Sequence, residues 1–180
     1  DPSDESFTQT YEVFRRLVEA GNQSSQNITF NQADPEIPPT ENFQLLVYFG
    51  HGSLTAWANP TLMDASIFRE GWKNIPDMIL QFTCLTSYFV VTDHNSLSEE
   101  FLQAGVPIVV GPTSLSLQGD QWPMVEGWAR AISDPQFKRV GDMLKNVWET
   151  MPLTSESIDV KQTYLLFGDP AYEITWKILK

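Results

Sequence analysis

Four apolar runs lacking polar–apolar alternation punctuate the chain: QLLVYF at 44–49, MILQFT at 78–83, VPIVV at 106–110 and TYLLF at 163–167. Such runs mark strands covered on both faces, as in a parallel sheet between helices. Helical periodicity lies between them. Ser6 is a candidate N-cap for a helix that puts Phe7, Tyr11, Phe14, Leu17 and Val18 on one face and ends at Gly21. A crossover helix is predicted over about 62–72, before Pro76. Ser96 and Glu99 have capping-box spacing for a helix running to Ala104, ahead of Gly105. Two more helices are predicted over 123–132 and 136–150, separated by Asp134-Pro135. The polar, proline-bearing stretch 22–43 is predicted as a surface loop with a short extended piece at Ile28, Thr29 and Phe30, 152–159 as a linker, and 171–178 as an extended tail.

Strands alternating with helices predict an α/β fold with a mainly parallel sheet. Right-handed crossovers would then bring the carboxyl ends of its strands to one edge. A length of 180 residues fits one domain, with 1–43 as N-terminal helix and loop and 44–180 as the core. The first buried run arrives only at residue 44, and Asp1 is not a natural initiator. The sheet is therefore expected to lack its first strands, and a fragment of the same precursor is the expected partner that completes it.

Charge narrows the partners. A net charge of -12, with 11 Lys and Arg against 23 Asp and Glu, excludes the clustered cations that nucleic-acid phosphates require, and favours cationic substrates. No apolar stretch approaches the ~20 residues of a membrane span, so no membrane partner is expected. A single cysteine rules out an internal disulfide framework and a thiolate zinc cluster.

That cysteine, Cys84, follows the second apolar run, and Gly50-His51-Gly52 follows the first. In open α/β sheets, residues just past the strands' carboxyl ends face the ligand crevice, so the two side chains meet at one edge. A thiol becomes a strong nucleophile when a neighbouring imidazole favours the thiolate. Gly50 and Gly52 allow close backbone approach, and the N–H groups of Gly52 and Cys84 are candidate oxyanion donors. The competing reading makes Cys84 a buried small hydrophobe in a plain ligand-binding domain. His94, between Asp93 and Asn95, reads as solvated loop; Ser53, Thr86 and Ser87 read as site wall, and Asp169 as a turn residue. Loop 112–121 lies on the same sheet edge and is a candidate for substrate contact. Neither Gly-x-Ser-x-Gly nor a phosphate-binding glycine loop occurs.

The run Tyr48-Phe49-Gly50-His51-Gly52-Ser53, Ala56-Trp57, the strand ending in Thr83-Cys84, Ser98-Glu99-Glu100-Phe101-Leu102 and Leu166-Phe167-Gly168-Asp169-Pro170 together resemble the gingipain-like cysteine peptidases over about 45–174. The resemblance implies a caspase-like three-layer fold. It implies an endopeptidase in which His51 and Cys84 form a dyad, the N–H groups of Gly52 and Cys84 hold the oxyanion, and a thioester forms without metal or cofactor. It places Trp57, Thr113, Ser114, Leu115, Ser116 and Leu117 on the substrate walls. Two positions depart from the pattern: Thr83 stands where a smaller residue usually precedes the cysteine, and the loop after Cys84 lacks the common glycine. The Gln-Ala-Cys-x-Gly pattern of caspases is absent, so aspartate specificity is not implied. A peptidase-like domain without activity, serving as a binding or scaffolding module, is the alternative. The resemblance also implies a secreted or cell-envelope setting, although intracellular peptidases share the fold.

Overall fold

The computed structural model describes residues 5–21, 44–57, 63–66, 68 and 75–174. The expected loop at 22–43 lies outside them. Helix α1 (Glu5–Ala20) forms as the periodicity requires, burying Phe7, Thr10, Phe14 and Val18. The central sheet has the order β1 (Leu45–Phe49), β4 (Met78–Phe82), β5 (Ile108–Pro112), β6 (Tyr164–Gly168). β1, β4 and β5 run parallel, and β6 pairs antiparallel with β5. Every residue of β4 and β5 is buried, which explains their unbroken apolar pattern.

The sheet separates two apolar layers. On one face Met78, Leu80, Phe82, Ile108 and Val110 pack against α1, α3 (Gln118–Ser133), α4 (Val140–Thr150) and α5 (Ser155–Thr163). On the other, Ile79 and Val109 pack with Trp57, Phe68 and the helix α2 (Leu97–Gln103). Helices on both faces of a mainly parallel sheet make the expected three layers.

Several predicted boundaries move, each for a local reason. Met63–Asp64, expected in the 62–72 helix, is the strand β3, paired antiparallel with β2 (Ala56–Trp57); Ala65, Ser66 and Phe68 are helical, and the remainder lies outside the described residues. The third core strand starts at Ile108 because Val106 N–H still donates to Phe101 of α2 and Pro107 has no N–H to give. Helix α3 begins five residues before Pro123, with the Asp120 and Gln121 N–H groups donating to the Leu117 carbonyl. Helix α4 starts at Val140, after the Asp134 carboxylate accepts from Gln136 N–H and turns the chain. The linker expected at 152–159 is mostly α5, which Thr154 caps by accepting from Ser157 N–H. The tail expected to be extended begins in a turn at Ala171, and within its described residues Glu173 bridges to Arg139.

Candidate functional site

The site grows from the parallel register of β1 and β4. Phe49 lies opposite Phe82, and the Gly50 N–H extends the ladder by donating to the Phe82 carbonyl at 3.2 Å. His51 and Cys84 each stand two residues beyond that last pair, so both emerge at the carboxyl edge. The loop carrying His51 closes on itself: Gly52 bridges to Trp57, and Ser53 N–H donates to the Ala56 carbonyl at 2.9 Å. The Tyr48 hydroxyl donates to the His51 carbonyl at 2.7 Å, and the Phe7 ring of α1 stands edge-on to the imidazole with centroids 5.2 Å apart. The imidazole itself is exposed at the rim.

Gly52 is pressed against the cysteine corner. A Cβ there would overlap Thr83 Oγ1 and come within 3.0 Å of both the Cys84 carbonyl and the Thr86 methyl. Only glycine fits such an approach without something shifting. The corner is strained, since Leu85 takes φ 60°, the left-handed region that side chains avoid. Its N–H donates to the Ser114 carbonyl at 3.1 Å, and Ser87 N–H donates to the Pro112 carbonyl at 2.9 Å. These bonds hold loop 84–87 against loop 112–117.

Cys84 is half-buried, and its thiol donates to the Ser116 carbonyl at 3.3 Å. No hydrogen bond joins it to His51 among the described residues. Leu115 and Leu117, on either side of that carbonyl, are 72% and 73% exposed, while Thr113 and Ser114 are half-buried. Beneath the corner, the buried amide of Gln121 donates to the Thr83 carbonyl at 3.1 Å, tying α3 to the thiol's support. The Tyr164 hydroxyl is buried and makes no well-formed hydrogen bond among the described residues, although the Thr83 backbone N–H lies close enough to act on it. Burial pushes its phenol well above the ordinary range; the Thr83 backbone N–H pulls it down, and the Cys84 sulfur adds to the rise.

The structure thus gathers His51, Gly52, Cys84 and loop 113–117 at one edge. It does not put Trp57 on a wall. That indole is 1% exposed, stacks on Tyr48 and donates to Gln81, so it is a core residue with no face to offer a substrate. Thr86 and Ser87 are likewise buried supports rather than wall. His94 is exposed on its loop, and Asp169 forms a turn, accepting from Ala171 N–H. As site residues, Phe7, Gln81, Leu85 and Tyr164 are not singled out by the sequence, and Gln121, within the expected substrate-contact loop 112–121, is instead a buried helical support. Gln81 alone carried a signal, as the one amide inside an apolar run. Among the described residues no cluster of His, Cys, Asp and Glu is arranged to hold a metal.

The sequence profile of peptidase family C25 matches residues 4–175. The fold is similar to that of the Arg-specific cysteine proteinase gingipain R (RgpB), with TM-score 0.75 and 16% identity over 96% of this chain and 44% of that one. It is equally similar, at 15% identity with the same coverage, to the chain in the complex of Porphyromonas gingivalis RgpB pro- and mature domains. A third solved structure, described as a protease, gives a TM-score of 0.64 at 14% identity, over 75% of this chain and 36% of its own. Among curated proteins no sequence matches significantly. The chain spans under half the length of the gingipain chains it resembles.

Proposed function

Since the chain belongs to peptidase family C25 and has the caspase-like α/β fold of gingipain R, we propose that it is a cysteine endopeptidase working through Cys84 and His51. One observation carries the reading. Gly52, next to the imidazole, lies against the Thr83–Cys84 corner so tightly that no Cβ fits between them. The His-Gly turn and the cysteine turn are thus built as one surface.

In this mechanism His51 takes the Cys84 proton, and the thiolate leaves its resting bond to Ser116 to attack the scissile carbonyl. The N–H groups of Gly52 and Cys84 hold the oxyanion. As the C–N bond breaks, His51 returns its proton to the departing amine, leaving a thioester on Cys84. Water, deprotonated by His51, then hydrolyses the thioester and restores the thiol. No metal or cofactor takes part. Thr113, Ser114, Leu115, Ser116 and Leu117 line the substrate on the thiol's side, and the two exposed leucines provide its apolar contact.

The partner proposal concerns β1, whose one strand neighbour among the described residues is β4. A parallel edge left open invites association, so a fragment of the same precursor is proposed to pair with it. A stable monomer of this chain alone at micromolar concentration in sizing experiments counts against that part.

An irreversible peptidyl acyloxymethyl ketone tests the chemistry. The expected result is one covalent adduct, mapped to Cys84 by mass spectrometry, forming at least tenfold more slowly in His51→Ala. An adduct that forms no faster than with free cysteine, in the presence of any co-purifying fragment, favours the inactive binding module instead.

A further inference from the structure

We propose that Gln81 is a positioning residue that braces the turn carrying His51 against the turn carrying Cys84; the proposal rests on the peptidase reading above. Gln81 belongs to β4, where its neighbours Leu80 and Phe82 face one apolar layer and Ile79, like Gln81 itself, faces the other. An amide that is 1% exposed in such a layer is costly unless its polar atoms are paired. They are paired in two directions. Its oxygen accepts from the Trp57 indole at 2.9 Å, and its nitrogen donates to the Ser98 hydroxyl at 2.7 Å.

Each arm ends on one half of the site. Trp57 bridges to Gly52, beside His51. Ser98 shares a hydrogen bond of 2.6 Å with Ser87, and its backbone N–H donates to the Thr86 carbonyl at 3.0 Å, within the turn that follows Cys84. The brace is closely packed, since a Cβ on Gly111 would run into Ser87 Oγ and the Gln81 amide. A hydrophobic side chain would satisfy the layer equally well, but would cut both arms. The amide therefore fixes the spacing of the two turns, and displacing a reacting group by about 1 Å can cost on the order of 100-fold in rate.

The test compares wild type, Gln81→Leu, Trp57→Phe, Ser98→Ala and His51→Ala, each as the full chain with any co-purifying fragment. Peptide hydrolysis is read as kcat and KM, and iodoacetamide labelling of Cys84 is followed across pH. Gln81→Leu is expected to lose about 10- to 100-fold in kcat with KM within about twofold, and its labelling profile to move toward that of His51→Ala. Trp57→Phe and Ser98→Ala each cut one arm and are expected to lose part of the same kcat; they carry the test if Gln81→Leu does not fold. Wild-type kcat with a wild-type labelling profile in the folded variants overturns the brace, as does a loss of thermal stability alone. If wild type cleaves no peptide, the labelling profiles decide, unchanged profiles overturning the brace and shifted ones supporting it, and the peptidase reading fails separately when Cys84 of the wild type also labels only slowly.

Discussion

At the residue scale, the proposed chemistry depends on a few positions that tolerate little. Gly52→Ala inserts a methyl between the two turns, where the nearest atoms include backbone that cannot swing aside. The variant is expected to lose at least ~100-fold in kcat/KM and about 1–3 kcal/mol of stability, read by peptide kinetics and urea unfolding. Tyr164 gives a different forecast. Its hydroxyl makes no well-formed hydrogen bond among the described residues, so Tyr164→Phe is expected to change stability at pH 7 by no more than about 1 kcal/mol. Its raised pKa matters only in alkali. Below about pH 10 the phenol is protonated in both folded and unfolded chains; above it the unfolded chain ionises first, so stability falls with rising pH. Tyr164→Phe is expected to flatten that fall, while the smaller contributions from Tyr11 and Tyr172 remain. Denaturant midpoints at pH 8 and about pH 10.5 check it. The placement of His51 and Cys84 at one sheet edge was legible in the sequence because each follows an apolar run that forms a strand. Leu85 was not, since a left-handed backbone at a leucine is imposed by the bonds to Ser114 and Pro112 across the corner rather than by local preference.

At the element scale, the capping box before α2 was written in the sequence and is present in full. Ser96 accepts from Glu99 N–H, and the Glu99 carboxylate accepts from Ser96 N–H. Ser96→Ala is expected to cost about 1 kcal/mol in chemical unfolding. Because α2 holds Ser98, the loss also reaches the site, and a modest fall in kcat accompanies it. A stability change below about 0.3 kcal/mol would contradict this role for the cap. Helix α5 was hidden because only Ser157 and Val160 of its nine residues are buried, too few to make a periodic stripe. The start of α3 was hidden by Pro123, which reads as a helix opening although the helix already extends from Gln118. The direction of β6 had no signal at all, since an apolar run says nothing about which way it pairs.

At the scale of the whole molecule, the proposed activity makes charge and layering the features that bear on how substrates arrive and where they react. On the peptidase reading, the net charge of -12 is expected to draw cationic peptides and repel acidic ones. Raising ionic strength from about 0.05 to 0.5 M is expected to lower kcat/KM several-fold for peptides rich in Lys and Arg and to raise it for acidic ones. Equal salt dependence for both would remove any electrostatic part in selection. The three layers were legible because strands buried on both faces and helices between them admit few arrangements. The contacts that join the layers were not. Gln121 and Phe7 reach the site from elements distant in sequence, Gln81 reaches across from β4 to Trp57, and only packing reveals which turn each one supports.

The central claim is that Cys84 is the nucleophile of a peptidase. Its most direct test is hydrolysis of a fluorogenic peptide library varied at the residue before the scissile bond, by the native chain and by Cys84→Ala, with any co-purifying fragment retained. Cleavage by the native chain that disappears in Cys84→Ala is the result predicted here. Cleavage that survives in the variant, or a native chain that cleaves nothing while iodoacetamide labels Cys84 only slowly, would contradict it.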